Sequence, residues 1–136
     1  MFAVKTFLLL VLLCIFPNSS LAKWSFVTTN AIGDRYYVDY SRVKKEGDGV
    51  YFWILSKYAI PVFRSFSATS YIFGDCVNLR YQNLEQVFHM GTHGQGESRE
   101  VSSEILQKWG WRYLEQSGSD YQLLKSVCAA ERPSVD

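Results

Sequence analysis

The sequence predicts an α+β fold that is mainly β: an antiparallel sheet of about five or six strands, with one C-terminal helix joined to the sheet by a disulfide. Two observations predict the sheet. Short runs of aromatic and β-branched residues recur along the chain, and segments with glycine or aspartate separate them as turns. A third observation predicts the link: a helical pattern near the C-terminus contains Cys128, while Cys76 lies in a predicted strand.

The strands predicted in the N-terminal half are residues 24–29, 35–40 and 50–55. The second of these alternates, with Tyr36 and Val38 on one face and Tyr37 on the other, as in a half-buried strand. The third is apolar at every position, so both of its faces need cover and it belongs in the centre of the sheet. Asp48-Gly49, just before it, favours a tight reversal.

The strands predicted in the C-terminal half are residues 69–84, 84–90 and 97–103. Gly74-Asp75 in the long first strand predicts a bulge or a close approach of another backbone. Residues 91–96 contain three glycines and are predicted to be a hairpin loop. Residues 105–114 alternate in the manner of a strand, although a helix also fits their first half.

The terminal helix begins with capping-box spacing at Ser119 and Gln122, in which each side chain satisfies a backbone N–H. The residues on its apolar face are Tyr121, Leu124, Val127 and Cys128. Cys128 is therefore expected to face the sheet, where Gly74, two residues before Cys76, allows the helix to approach closely. Two cysteines in an exported chain predict a disulfide. Closing a loop of about 52 residues contributes roughly 4 kcal/mol in the chain-entropy model.

An export signal is predicted at residues 1–22. Lys5 precedes an apolar run over residues 7–16, and residues 20–22 place small side chains around a cleavage site after Ala22. The run is shorter than the roughly 20 residues that span a bilayer. We therefore expect a signal peptide, not an anchor.

The remaining residues, 23–136, have the length of one domain. Their formal charge is zero, because the leader holds one of the chain's 14 basic residues and none of its 13 acidic ones. No basic stripe stands out, so no nucleic-acid partner is predicted, and no second apolar segment is long enough to span a membrane. Cys14 follows Leu13, which is a poor context for lipid attachment.

No catalytic, cofactor-binding or metal-binding residues are predicted. His89 and His93 have the spacing of a zinc pair on a helix, but the glycines around them predict solvated loop histidines. The last glycine of the glycine-rich loop is not followed by the lysine and Ser/Thr of a phosphate-binding loop. Four aspartates are expected in turns or on polar faces, where solvation accounts for them: Asp34, Asp39, Asp48 and Asp75.

Aromatic residues occur on both faces of the predicted strands, which is more than one helix can cover. Large exposed apolar patches mark interaction surfaces, where tyrosine and tryptophan are enriched. The candidate interaction surface is Tyr37, Tyr51, Trp53 and Tyr81. The alternative interpretation is that the same residues form the hydrophobic core and its partly exposed rim.

The arrangement resembles the bacterial surface-adhesin protein E family over most of residues 23–129. The resemblance rests on Trp24, the strand Arg35-Tyr36-Tyr37-Val38-Asp39, the stretch from Gly47 to Trp53, Asp75-Cys76 followed by Arg80-Tyr81, a late tryptophan, and Val127-Cys128. It implies an exported sheet protein of a Gram-negative bacterium with a disulfide-linked C-terminal helix. It also implies binding of host matrix or serum proteins, such as laminin, vitronectin and plasminogen, and dimerisation.

The function expected from these observations is that of an exported, non-catalytic envelope or surface protein that binds another protein through a sheet face. The expected location is the periplasm, the medium or the outer surface. The expected partner is a host extracellular-matrix protein, an envelope protein or a second copy of the chain, and no cofactor is expected. The alternative is a small periplasmic inhibitor or accessory protein that inserts the loop at residues 91–96 into the cleft of an envelope hydrolase.

Overall fold

The structure is a computed structural model that describes residues 22–130. Within this range, eight strands form one antiparallel sheet: β1 (Ser25–Thr29), β2 (Arg35–Val38), β3 (Lys44–Glu46), β4 (Gly49–Val62), β5 (Ser65–Asp75), β6 (Arg80–His89), β7 (Ser98–Glu100) and β8 (Arg112–Tyr113). The helical elements are a 3-10 turn (Tyr40–Arg42), α1 (Ser103–Trp109) and α2 (Ser119–Ala129). The predicted export signal lies almost wholly outside the described residues.

The sheet has the order β1-β2-β4-β5-β6-β7, while β3 pairs with one end of β4 and β8 with one end of β6. The predicted mainly-β fold with a C-terminal helix is confirmed, and β4 is central as its apolar sequence predicts. The strand count exceeds the expected five or six because β3 and β8, of three and two residues, are too short to show an alternating pattern. The strand expected at residues 97–103 is present as the shorter β7.

The single long strand predicted over residues 69–84 is wrong. The chain reverses after Asp75, and β5 and β6 pair antiparallel from Asp75↔Arg80 onwards. The Asp75 side chain causes the reversal, because its Oδ1 accepts the backbone N–H groups of Val77 and Asn78, each at 3.0 Å. Leu79 completes the turn in the left-handed region at φ 50°.

Helix α2 covers one face of the sheet, which we call the helix face. Its buried side chains, Leu123, Leu124 and Val127, share a core cluster with alternate residues of β2, β4 and β5. Gly74 makes this approach possible: a Cβ there would collide with the Leu124 side chain and lie 3.2 Å from Val50 Cγ1. The predicted role of Gly74 in close packing is therefore confirmed, whereas no bulge occurs at that position.

The predicted disulfide joins Cys76, which follows β5, to Cys128 in the last turn of α2, with a Cα–Cα distance of 5.9 Å. A second link lies beside it. Lys45 Nζ donates to the carbonyl oxygens of Cys128, at 3.0 Å, and Ala130. A cation at a helix C-terminus is favourable because the last carbonyls carry partial negative charge. The end of α2 is thus held to the sheet by a covalent bond and by the hydrogen bonds that the charged Lys45 donates.

The capping box predicted at the start of α2 is absent. The N-cap residue is Gly118, and no side chain caps the helix. Gln122 instead accepts a hydrogen bond from Thr28 Oγ1 of β1 at 2.5 Å. The residue pattern of a capping box is therefore present here, but a tertiary contact with the sheet uses its glutamine.

Residues 105–114, which alternate in sequence, divide into two elements. Ser102 caps α1, with its Oγ accepting the N–H of Ile105 at 3.4 Å, and α1 packs against β6. Gly110 ends the helix at φ 58°, and the chain then pairs with β6 as β8. The helix that the sequence allows for the first half of this segment is the correct alternative.

Candidate interaction surface

The sheet face opposite α2, which we call the aromatic face, carries a continuous row of five aromatic rings. The row, which we call the aromatic ladder, is Trp53, Tyr71, Tyr51, Phe73 and Trp111. Neighbouring ring centroids are 4.9, 6.0, 4.7 and 5.8 Å apart in that order. Pairing places the first four on one face, since Tyr51↔Phe73 and Trp53↔Tyr71 are direct cross-strand partners. Offset aromatic pairs of this kind stabilise a sheet beyond their area.

All five rings of the ladder are half-buried. Their mutual stacking removes part of their surface from water and leaves the rest facing outward. Because the rings hold each other in place, a partner that binds them loses little side-chain entropy. The ladder is thus a pre-organised apolar surface.

An arginine lies over each end of the ladder. The Arg42 guanidinium is 5.0 Å from the Trp53 ring centroid and 5.7 Å from that of Trp24, and the Arg80 guanidinium is 4.0 Å from that of Trp111. Such contacts are cation–π interactions. Aromatic residues and arginine are the types enriched in protein interfaces and in their energetic hot spots.

Each arginine is oriented by an aspartate. Arg42 Nε lies 2.7 Å from Asp39 Oδ2, and Arg80 Nε lies 3.1 Å from Asp75 Oδ2. Burial of Asp39 disfavours its charge, but hydrogen bonds from Ser41, Arg42 and the Lys23 amide outweigh burial and hold its pKa below the ordinary value. Asp39 therefore stays ionised and keeps Arg42 in place.

A recess of about 280 Å³ lies at the Trp111 end of the ladder. Its lining includes Phe73, Trp111, Asp75 and Arg80. It joins an aromatic wall to an ion pair, so a partner side chain can be held by apolar contact and by a charged hydrogen bond together. Interface hot spots occupy pockets of this kind.

The loop at residues 91–96 folds back onto the aromatic face beside the ladder. The Gly94 N–H donates to Ser67 Oγ at 2.9 Å, and that hydroxyl donates to the Gly91 carbonyl at 2.6 Å. Gly94 lies against Leu55, which is fully buried on this face. The predicted hairpin loop is therefore confirmed between β6 and β7. Its anchoring does not favour insertion into the cleft of a hydrolase.

Three of the four predicted interaction residues lie on the aromatic face. Tyr51 and Trp53 belong to the ladder, and Tyr37 lies beyond it, with its ring 5.7 Å from Phe26 and 5.8 Å from His93. The prediction that Tyr81 belongs to this surface is corrected by the structure: Tyr81 pairs with Gly74, lies on the helix face and is 3% exposed. The turn after Asp75, which the sequence prediction missed, sets its strand and therefore its face.

Sequence reasoning also missed the partners of the ladder. Tyr71 and Phe73 lie in the strand whose length was predicted wrongly, so their partners across the sheet could not be assigned. Trp111 lies in a segment whose sequence fits both a strand and a helix. The register of β4 against β5 would have revealed the first two, because both follow from pairing Tyr51 and Trp53 across the strand. Register depends on the β4–β5 hairpin turn, whose central residues, Phe63 and Arg64, have positive φ without the usual glycine or asparagine.

Two other groups of predicted residues have more specific surroundings than expected. His89 is not a loop residue: it ends β6, and its Nε2 lies 2.8 Å from Thr69 Oγ1. Asp34 and Asp39 are buried rather than solvated. Asp34 Oδ1 accepts the Ala59 N–H at 2.8 Å, so it joins the β1–β2 turn to β4. Among residues 22–130, no group of three or more His, Cys, Asp or Glu side chains is placed to hold a metal ion.

The fold and this surface together define a small sheet domain, braced by a disulfide, with one face covered by a helix and the other aromatic. The sequence profile of the family described as Surface-adhesin protein E matches residues 24–129. The chain belongs to that family.

Two solved structures have a similar fold. The structure of Haemophilus influenzae protein E has a TM-score of 0.57 and 15% identity, covering 83% of this chain and 89% of that one. Crystal form II of the same protein has a TM-score of 0.56 and 17% identity, covering 83% and 92%. A search of curated protein sequences found no significant match. In the described part of the chain, neither helix has the length and apolar character to span a membrane.

Proposed function

We propose that this chain is an exported, non-catalytic surface protein that binds another protein through the aromatic face. The aromatic ladder between Arg42 and Arg80 is the observation that carries the proposal. The disulfide and the export signal predicted at residues 1–22 fit a protein that works outside the cytoplasm.

The chemistry of the ladder favours a protein partner. Flat, half-exposed rings with fixed neighbours suit the centre of an interface, and the two arginines suit carboxylate groups at its rim. Membership of a surface-adhesin family supports a partner from the host, and the sequence resemblance points to extracellular-matrix and serum proteins. A second copy of the chain, paired through the same face, is an alternative occupant of the ladder.

The test is a binding measurement with the oxidised chain, residues 23–136, on immobilised laminin and vitronectin. The informative variant is Trp53→Ser with Tyr71→Ser, which removes two adjacent rings of the ladder. The matched control is Phe66→Ser. Phe66 lies on the same strand as Tyr71 and is 42% exposed, and strand alternation places it on the opposite face.

The double variant is expected to bind at least tenfold more weakly, while the control binds as the unchanged chain does. Sedimentation at several concentrations distinguishes self-association, which the double variant should also weaken if the ladder pairs two copies. Equal binding by the double variant and the unchanged chain would contradict the proposal, as would retention on neither protein together with a monomer at every concentration.

A further inference from the structure

A polar cavity of about 210 Å³ lies on the helix face, beside the first turn of α2 and on the opposite side of the sheet from the aromatic ladder. Strands β2, β4, β5 and β6 line it, and Ser119 and Asp120 of α2 close one side. Pockets for drug-sized ligands begin at about 300 Å³. The cavity therefore fits a smaller molecule.

One wall of the cavity holds a buried amide with an unpaired atom. Asn83 is 9% exposed, and its Oδ1 has no hydrogen-bond partner among the described residues. Its Nδ2 donates to Gln86 Oε1 at 2.6 Å, and Ser70 Oγ donates to the same oxygen at 3.1 Å. Buried polar atoms are rarely left unpaired, so this one points to a group that the cavity receives.

A hydroxyl group suits this amide in both of its orientations. If both amides turn over, Gln86 donates to Asn83 Oδ1 and the unpaired atom becomes the Asn83 Nδ2, a donor. A hydroxyl both donates and accepts, and so satisfies either arrangement. A carboxylate or an ammonium group satisfies only one of them.

The start of α2 borders the same cavity, and no side chain caps it. Gly118, the N-cap residue, has no side chain with which to accept the first N–H groups of the helix. Asp120 in the first turn already supplies the negative charge that a helix N-terminus favours, and it pairs with Arg112 Nη2 at 3.3 Å. The charges at the cavity are therefore balanced, which favours a neutral ligand over an ion of either sign.

Tyrosine hydroxyls complete the lining. Burial, followed by the neighbouring Tyr36 and Asp34, raises the pKa of Tyr58 to about 12. Burial, followed by Asp34 and Asp120, raises the pKa of Tyr36. Both phenols stay neutral. The Tyr36 hydroxyl accepts from Asn30 Nδ2 at 3.1 Å and keeps its own proton to donate, and the Tyr58 hydroxyl can donate or accept. Ile54 and Ile72 provide an apolar strip between the polar groups.

We propose that this cavity binds a single ring of a neutral sugar, whose hydroxyl groups meet the unpaired Asn83 amide and the uncapped start of α2. A sugar ring combines several hydroxyls with an apolar C–H face, and the cavity combines hydroxyl and amide groups with an apolar strip. The ring can be a free monosaccharide or the end of a glycan. This site is separate from the aromatic face and does not depend on its function.

The test is an NMR titration of the oxidised chain with glucose, galactose, mannose and N-acetylglucosamine, and with lactose and maltose as glycan ends. Backbone amide shifts locate the site. The informative variant is Asn83→Leu, and Ser56→Leu, which fills the cavity from a half-buried strand position, serves if Asn83→Leu does not fold. Trp53→Ser is the control on the aromatic face.

Saturable shifts of cavity residues with at least one sugar are expected, weakened at least tenfold by the cavity variant and unchanged by Trp53→Ser. Tighter binding of a disaccharide than of its terminal monosaccharide would identify a glycan as the ligand. Shifts confined to the aromatic face, equal affinity in the cavity variant, or no saturable binding of any sugar, so that Asn83 is satisfied by water alone, would overturn the proposal.

Discussion

Removal of the disulfide should lower the free energy of unfolding by an amount that the loop length sets. The bond closes a loop of 52 residues, from Cys76 to Cys128. In the chain-entropy model, such a link destabilises the unfolded chain by about 4 kcal/mol at 25 °C. For a domain of this size, this corresponds to a fall in Tm of about 15 °C.

The native state should survive the loss of the bond. Leu123, Leu124 and Val127 remain buried against the sheet whether or not the sulfurs are joined, and Lys45 still holds the helix end. Each buried aliphatic side chain contributes about 1.5–3 kcal/mol. We therefore expect a folded but less stable domain, not an unfolded one.

The assay is urea unfolding of residues 23–136, monitored by tryptophan fluorescence. The samples are the oxidised chain, the reduced chain and the double variant Cys76→Ala with Cys128→Ala. The reduced chain and the double variant should agree and lie about 2–4 kcal/mol below the oxidised chain. A reductant should have no effect on the double variant. A difference below about 1 kcal/mol between oxidised and reduced chains would refute the reasoning, because packing alone would then hold α2.

Further predictions concern packing, titration and processing. Gly74→Val should lower the free energy of unfolding by about 2 kcal/mol or more, because the new side chain overlaps Leu124, and near-equal urea midpoints would contradict this close approach. Below about pH 4 stability should fall as Asp39 gains a proton, since its folded pKa lies below that of the unfolded chain. Asp39→Asn should flatten this slope, and an unchanged slope would count against the ion pair between buried Asp39 and Arg42. In an ultraviolet titration Tyr58 should ionise near pH 12, with stability lost between about pH 10 and 12, whereas ionisation near pH 10 would show an exposed phenol. Mass spectrometry of natively exported protein should give Lys23 as the first residue, and an uncleaved leader would contradict the predicted signal.

The sequence predicts those features of the fold that depend on local pattern or on single residues. The apolar run at residues 50–55 indicates a central strand. The pairing of Cys76 with Cys128 follows because an exported chain is expected to form disulfides and only these two cysteines remain after the leader. Gly74 indicates the close approach of the helix. These features are encoded where they occur, so no knowledge of the partner strand is needed to predict them.

The features that the sequence did not reveal depend on tertiary context. The turn after Asp75 is made by the Asp75 side chain and by Leu79 at positive φ. Aspartate is a common turn residue, but the apolar residues on both sides of it favour one continuous strand, and a leucine at positive φ leaves no signal in the sequence. Missing that turn placed Tyr81 on the wrong face and concealed the partners of Trp53. A one-residue error in strand register moves every side chain to the other face, so a surface is harder to predict than a fold.

The most direct test of the aromatic face as the binding surface uses the chain's four tryptophans as reporters in NMR spectra of the indole N–H groups. Trp53 and Trp111 lie in the ladder, whereas Trp109 lies on α1 and serves as the internal control. Addition of vitronectin or laminin fragments should shift or broaden the Trp53 and Trp111 signals and leave Trp109 unchanged. Perturbation of Trp109 alone, or of amides on the helix face with both ladder signals unmoved, would contradict the assignment of the aromatic face as the binding surface.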